Sequence, residues 1–217
     1  TLYVVGSVQE EDCDGLCWQY IINEDKLRPE LVVIAEPTNL GIYRGHRGRM
    51  EMEVRTQGLS CHGSAPERGI NAVYKMASIV SEIERLNDRL AEGADPFLGK
   101  GSVTIAEIRS TSPSLCAVAD SCTIHLDRRL TRGETLDAAV AQVASLPSVQ
   151  AAGGTVTVLD YASPSYTGLV YPTRKYYPTW LMDESDPVIR AAVEAAGDAL
   201  GSPPLVGKWT FSTNGIA

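Results

Sequence analysis

The sequence predicts an α/β protein in which a small domain is inserted into a larger one. Apolar runs at residues 2–8 and 31–35 flank a short helical segment at about 14–23, as in a parallel α/β layer. From residue 43 to residue 161 the hydrophobic pattern changes to the order βαββαβ, which is typical of a ferredoxin-like sandwich. The pattern changes again after residue 161, so one domain interrupts the other.

The elements of the inserted domain follow from their periodicity. Met50, Met52 and Val54 alternate with charged residues and predict a strand with one exposed face. The predicted order is a strand at 50–54, a helix at 70–83, strands at 103–105 and 122–126, a helix at 136–143 ended by Pro147, and a strand at 156–158.

The segments on either side of the insertion are assigned to one α/β domain. A Tyr/Pro-rich loop at 164–180 leads to a helix that begins near Asp186-Pro187, and a strand at 208–212 follows. We therefore predict that residues 1–42 and 162–217 form part of the larger domain and that residues 43–161 form the insertion. Because Thr1 lies in a predicted strand and is not an initiator Met, we expect the chain to be a fragment.

Composition limits the possible functions. With 19 basic and 27 acidic residues the formal charge is −8, and no basic cluster supports nucleic-acid binding. No apolar stretch approaches the roughly 20 residues of a membrane span. The five cysteines are scattered and odd in number, which favours a reducing compartment, and we expect a cytoplasmic protein.

Three carboxylates are the main candidates for chemistry. Glu10 and Glu11 follow the apolar run at 2–8, and Glu36 follows the run at 31–35. Because an open α/β sheet binds ligands at the carboxyl ends of its strands, we expect these groups to share a cleft. Like charges in a cleft favour a bound cation, with one carboxylate left free as a base. The alternatives are a solvated acidic turn and, for Glu36, a turn acid before Pro37.

Two further side chains are candidates in the insertion. His62 lies in a loop of small residues before a helix and could donate to a developing oxyanion, although a lone loop histidine is more often simply exposed. Arg129 ends a strand and could bind a substrate carboxylate; the alternative is an ion pair with Asp127 or Glu134. A cysteine hydrolase that uses Cys61 beside His62 is a weaker hypothesis, because adjacent residues rarely align as nucleophile and base.

Five segments together resemble the M20 family of metallopeptidases and amidohydrolases, which includes ArgE/DapE-type deacylases and carboxypeptidases. Within that family, the sequences of these segments are most similar to the YgeY-like selenium metabolism hydrolase branch. The segments are Gly6-Ser7-Val8-Gln9-Glu10-Glu11-Asp12-Cys13-Asp14-Gly15, Ala35-Glu36-Pro37-Thr38, the segment from Gly58 through His62 to Ala72, Asp127-Arg128-Arg129-Leu130-Thr131-Arg132-Gly133-Glu134, and Phe211-Ser212-Thr213-Asn214-Gly215.

The resemblance implies a hydrolase of amide or peptide C–N bonds in N-acyl amino acids, dipeptides or similar small substrates. It implies a partial zinc-peptidase-like α/β catalytic domain (1–42 and 162–217) that uses two divalent metal ions, zinc or else cobalt or manganese. The insertion at 43–161 would be a lid through which two copies form a homodimer. A non-catalytic dimerisation or binding module of the same fold is the alternative.

The resemblance also implies a role for each candidate residue. Glu10 matches the general base, and Glu11 and Glu36 match ligands of the two metals. His62 matches the lid histidine that polarises the scissile carbonyl in the partner subunit's active site, and Arg129 matches the arginine that contacts a substrate carboxylate. The substrate pocket would be lined by Ser212, Thr213, Asn214 and Gly215. The remaining metal ligands of the family are expected outside this chain.

Overall fold

The computed structural model describes residues 1–216, which contain five α-helices and ten β-strands. The helices are α1 (Leu16–Asn23), α2 (Ala72–Arg89), α3 (Leu136–Ala144), α4 (Pro147–Ala152) and α5 (Pro187–Leu200). The strands are β1 (Ile42–His46), β2 (Gly48–Gln57), β3 (Ser102–Thr111), β4 (Ser121–Leu130), β5 (Thr155–Val158), β6 (Asp160–Tyr161), β7 (Thr173–Arg174), β8 (Tyr176–Tyr177), β9 (Trp180–Leu181) and β10 (Val206–Trp209). Ala217, which ends the predicted segment 162–217, lies outside the described residues.

The chain divides into two units whose bounds differ from the predicted ones. The first unit contains residues 1–49 and 95–99, and it resumes at residue 160; the second contains residues 50–94 and 100–159. The first boundary falls at 49/50 and not at 42/43, because β1 pairs with strands of the first unit. The short segment 95–99 also belongs to the first unit, which no sequence pattern indicated.

The second unit has the predicted βαββαβ order with one additional helix. Its strands lie in the order β3-β4-β2-β5, the arrangement of a ferredoxin-like sheet, and β2 pairs antiparallel with β5. Met50, Met52 and Val54 are fully buried, as their alternation predicts. Pro147 does not simply end the helix before it. That helix, α3, stops at Ala144, and Pro147 begins α4, where a proline is tolerated because no amide donor is needed.

Helix α2 covers the sheet of the second unit with an apolar stripe. Five of its residues are buried against the sheet side: Ala72, Met76, Ile79, Ile83 and Leu86. Asn71 caps the helix, since its side-chain oxygen accepts the Val73 amide at 2.9 Å. Contacts of α2 with β3, β4 and α4 complete this core.

The first unit is built on a three-stranded sheet in the order β10-β1-β9. Strand β1 runs parallel to β10 and antiparallel to β9, and α5 packs on β1. Helix α5 begins after Asp186, whose carboxylate accepts the Val188 amide at 2.8 Å. A second core joins the start of α1 to later strands through Cys13, Leu16, Tyr161 and Tyr177.

Two strand predictions in the first unit are wrong, and a third has the wrong bounds. Residues 2–8 and 31–35 form no strand in the described part of the chain, and Leu2 and Val4 are about nine-tenths exposed. A strand needs a hydrogen-bonded neighbour as well as an apolar sequence, and these runs pair with no other strand among residues 1–216. The strand predicted at 208–212 begins earlier, at Val206, and ends at Trp209, where the chain bends at residues 210 and 211.

No helix in the described residues is long and apolar enough to cross a membrane.

Candidate functional site

The turn that carries Glu10 and Glu11 follows a residue with an unusual backbone. Gln9 has a φ of 62°, a left-handed conformation that non-glycine residues adopt at a cost. Its side-chain amide donates to the Tyr161 hydroxyl at 3.0 Å and to the carbonyl oxygens of Ser163 and Pro164 at 3.3 Å. These bonds hold the backbone at the entry to the turn.

Four carboxylates of the first unit lie within electrostatic range of one another. Burial raises the pKa of Glu10 above its ordinary value, and the negative charges of Asp14, Glu36 and Glu11 raise it further, whereas Arg49 acts in the opposite direction. Burial, Asp14 and Glu11 likewise raise the pKa of Glu36. The structure thus brings together the three carboxylates that the sequence singled out and adds Asp14 to them.

The donors of this acidic cluster suit a divalent cation in charge and in chemistry. Carboxylate oxygens bind zinc, and a cation would relieve the repulsion that raises the pKa values. Within residues 1–216, however, no three His, Cys, Asp or Glu side chains form an arrangement that could hold a metal ion. Since zinc takes four ligands in most protein sites, Glu11 and Glu36 can account for only part of a coordination set.

Glu36 borders an open surface depression of about 490 Å³ together with Pro37, Thr38, Asn39 and Leu40. None of the other three carboxylates of the cluster lines this depression.

Asp14 is almost completely buried, and the sequence assigned it no role. It accepts a hydrogen bond from the Ser212 hydroxyl, and its Oδ2 lies 3.7 Å from Nη1 of Arg49. A buried carboxylate requires such partners because it has lost its hydration. Asp14 therefore connects the turn after Glu11 to the loop at residues 212–215.

The loop at 212–215 uses its polar groups internally. The Asn214 side-chain oxygen accepts the Gly15 amide at 2.9 Å, and the Thr213 hydroxyl accepts the Gly215 amide at 3.2 Å. A Cβ on Gly215 would lie 2.6 Å from Nε1 of Trp180, so only glycine fits there. The substrate contacts predicted for this loop remain a prediction, because its side chains are seen bound to the protein itself.

His46 binds the backbone of the same loop at Thr213. Its Nδ1 accepts the Thr213 amide at 2.8 Å. Burial lowers the pKa of this imidazole to about 4, although the nearby Pro178 backbone acts in the opposite direction. In the sequence His46 stands among arginines and is not a candidate site residue; burial, which decides its role, leaves no local signal.

His62 lies on an exposed loop of the second unit. Its Nδ1 accepts the Ser64 amide at 3.2 Å and lies 2.7 Å from the Ser64 hydroxyl. These contacts assign the proton of the neutral ring to Nε2, which is then a donor. The Cys61 thiol donates to the Ala65 carbonyl at 3.3 Å, so the observed contact of this cysteine is with the backbone and not with His62.

Arg129 forms an ion pair with Asp127, which is the alternative to substrate binding given by the sequence analysis. Its Nε and Nη2 bind both carboxylate oxygens of Asp127, at 2.7 and 2.8 Å. The neighbouring Arg128 is buried and pairs with Glu134. A contact of Arg129 with a substrate carboxylate remains a prediction, since one edge of its guanidinium is already engaged.

Comparison with known proteins agrees with this fold. A family model described as "Peptidase dimerisation domain" of the M20 group matches residues 44–155, just over half of the chain. The chain therefore belongs to the M20 peptidase dimerisation domain family, and the resemblance drawn from its sequence segments is confirmed.

Two curated relatives match beyond the dimerisation domain. The YgeY protein of Escherichia coli strain K12 is 56% identical over 217 residues, which is 100% of this chain and 53% of that protein. An acetylornithine deacetylase of Klebsiella pneumoniae strain 342 is 33% identical over 144 residues, 63% of this chain and 36% of that protein. The chain thus spans about half the length of its YgeY relative, and less of the deacetylase.

Two solved peptidase structures have a similar fold. A tripeptidase from Staphylococcus aureus superposes with a TM-score of 0.67 at 18% identity, covering 97% of this chain and 50% of that one. The aminopeptidase PepT from Bacillus cereus superposes with a TM-score of 0.61 at 17% identity, covering 97% and 51%. At these identities the likeness establishes the α/β fold alone.

Proposed function

We propose that the protein containing this chain is a metal-dependent hydrolase of amide or peptide C–N bonds. Its substrates would be N-acyl amino acids, dipeptides or similar small molecules. The observation that carries the proposal is the acidic cluster, in which Glu10, Glu11 and Glu36 share one electrostatic environment at neighbouring ends of the first unit's apolar runs. Membership of the M20 peptidase dimerisation domain family supports the same reaction class.

Glu11 and Glu36 would hold the cations, and Glu10 would move the proton. Bound zinc ions would polarise the scissile carbonyl and lower the pKa of water. Glu10, whose pKa is raised by burial and by its acidic neighbours, would take the proton of the attacking water and deliver it to the leaving amine.

His62 is proposed to act in the partner subunit's active site. Its exposed loop position and the proton on Nε2 suit donation to a carbonyl oxygen on which negative charge develops. The dimerisation domain that carries it, residues 44–155, would supply the homodimer that this arrangement requires.

The test is the Glu10→Gln variant of the longest natural polypeptide that contains this chain. Since the amide cannot accept the proton, kcat on an N-acyl amino acid or dipeptide should fall roughly 10²- to 10⁴-fold. Zinc content, measured by elemental analysis, should stay at the wild-type level. The matched control is Glu30→Gln, which changes an exposed glutamate of the same unit and should leave both quantities unchanged.

Inhibitors separate the proposed chemistry from thiol chemistry. A chelator should abolish hydrolysis and added zinc should restore it, whereas an alkylating agent directed at Cys61 should have no effect. Unchanged turnover in Glu10→Gln would refute the base, and loss of activity only on alkylation would favour the cysteine hydrolase.

The second candidate is a non-catalytic dimerisation module, which is favoured by the restriction of the family match to residues 44–155. A wild-type polypeptide that forms dimers but neither binds zinc nor cleaves any member of an amide panel would support this alternative.

A further inference from the structure

Arg49 makes contact with three positions of the turn that carries the acidic residues. Its Nη1 donates to the Glu11 carbonyl oxygen at 3.4 Å, and its Nη2 donates to the Asp12 carbonyl oxygen at 3.0 Å. Its Nη1 also lies 3.7 Å from the Asp14 carboxylate. One guanidinium group therefore bridges the stretch from Glu11 to Asp14.

Arg49 is itself held in place. Its guanidinium carbon lies 5.0 Å from the centre of the Tyr177 ring, an arrangement suited to a cation–π contact. Tyr177 is fully buried, and its hydroxyl donates to the Asp12 carbonyl oxygen at 3.3 Å. The Arg49 side chain is 13% exposed, so it works in a largely dehydrated environment where its hydrogen bonds count for more than in water.

The two ends of the turn have anchors of a different kind. Gln9 fixes the entry through bonds to residues 161–164, and Asn214 fixes the exit through the Gly15 amide. Between these anchors the backbone carbonyls of Glu11 and Asp12 point towards Arg49. Fixing these carbonyls constrains the backbone from which the side chains of Glu10 and Glu11 project.

We propose that Arg49 is a positioning residue for the Glu10–Glu11 turn, with no contact of its own to the substrate. The proposal rests on the proposed hydrolase function and assigns a role to a residue outside the carboxylate set. The role requires arginine because only a planar fork reaches two carbonyls and a carboxylate together; a lysine ammonium is a single point donor.

The experiment compares Arg49→Lys, Arg49→Ala and the control Arg47→Lys in the longest natural polypeptide that contains the chain. Arg47 is a matched control because its Nε binds a backbone carbonyl, that of Thr210 at 2.9 Å, outside the turn. For Arg49→Lys, kcat should fall roughly 10- to 100-fold, because a displaced base is misaligned, while KM stays within about threefold. Amide hydrogen exchange of residues 9–15 should become at least about tenfold faster.

A rescue measurement separates positioning from overall stability. Millimolar guanidinium chloride should restore part of the kcat of Arg49→Ala and should slow exchange in residues 9–15, since the free cation can occupy the vacated site. Arg47→Lys should behave as wild type in every measurement.

Two outcomes would overturn the proposal. One is wild-type kcat and wild-type exchange of residues 9–15 in Arg49→Lys; the other is exchange that rises equally throughout the protein without rescue by guanidinium. If the wild-type polypeptide neither binds zinc nor cleaves amides, the proposed function fails, but the exchange of residues 9–15 in Arg49→Lys against Arg47→Lys still decides whether Arg49 holds the turn.

Discussion

At the residue scale, the candidate site depends on polar side chains that are buried and paired. The buried Asp14 carboxylate has polar partners, because Ser212 donates to it and Arg49 lies nearby. The imidazole of His46 is also buried; burial lowers its pKa, so the ring is neutral and its Nδ1 can accept the Thr213 amide. Both residues join the region around the acidic turn to the loop at 212–215.

The neutral state of His46 predicts a specific pH dependence of stability. Burial lowers its pKa from the ordinary value of 6.5 to about 4 in the folded protein, so the unfolded chain binds the extra proton between these values. The contribution is fully present above pH 6.5 and is lost as the pH falls towards 4, by up to about 3 kcal/mol. In His46→Asn, which retains an acceptor near the position of Nδ1, this part of the slope should disappear.

Urea unfolding at several pH values measures this difference, and Trp180 is a convenient fluorescent reporter because its ring centre lies 5.5 Å from that of His46. Identical pH slopes in the wild type and in His46→Asn would show that His46 does not titrate as described.

At the element scale, α1 begins without a cap from its own segment. The residue before it, Gly15, has a φ of 70° and no side chain to accept an amide. Asn214, 199 residues away, supplies the acceptor for the Gly15 amide. The start of the helix that follows the Glu10–Glu11 turn is thus fixed by a tertiary contact.

Asn214→Ala should destabilise the protein by roughly 1–3 kcal/mol, because it leaves the buried Gly15 amide without an acceptor. Asn214→Asp is the matched variant that keeps an acceptor oxygen and should recover most of this loss. Thermal unfolding gives the stabilities, and equal melting temperatures for Asn214→Ala and the wild type would contradict the capping role.

At the scale of the whole molecule, the proposed chemistry is divided between the two units. Glu10, Glu11 and Glu36 lie in the first unit, and His62 and Arg129 lie in the second. If His62 acts in the active site of the partner subunit, each active site of a dimer uses the first unit of one subunit and the second unit of the other.

Mixing two inactive variants tests this division. After subunit exchange, Glu10→Gln and His62→Ala should together recover about one quarter of wild-type activity, since about half of the dimers are mixed and each mixed dimer holds one intact site. Each variant alone should stay inactive under the same treatment. No recovery, with mixed dimers demonstrated by mass spectrometry, would place Glu10 and His62 in the same subunit's site.

How far the fold could be predicted depended on where each element gets its stability. The βαββαβ order was confirmed because Met50, Met52 and Val54 bury alternate side chains and α2 buries a stripe, and both leave a periodic trace. The strands predicted at 2–8 and 31–35 failed because pairing depends on a neighbour that local sequence does not specify.

The candidate site likewise has features that the sequence predicts and features that only the tertiary structure shows. The sequence alone determined that the Glu10–Glu11 turn is acidic, that Glu36 likewise follows an apolar run, and which family the chain belongs to. These features depend on residue type and on short segments. Only the tertiary structure decided that Asp14 is buried, that Arg49 binds the turn and that Asn214 caps α1. The physical reason is that each of these features depends on single polar contacts between residues that are distant in the sequence. Burial strengthens such contacts, but they produce no repeating pattern along the chain from which they could be predicted.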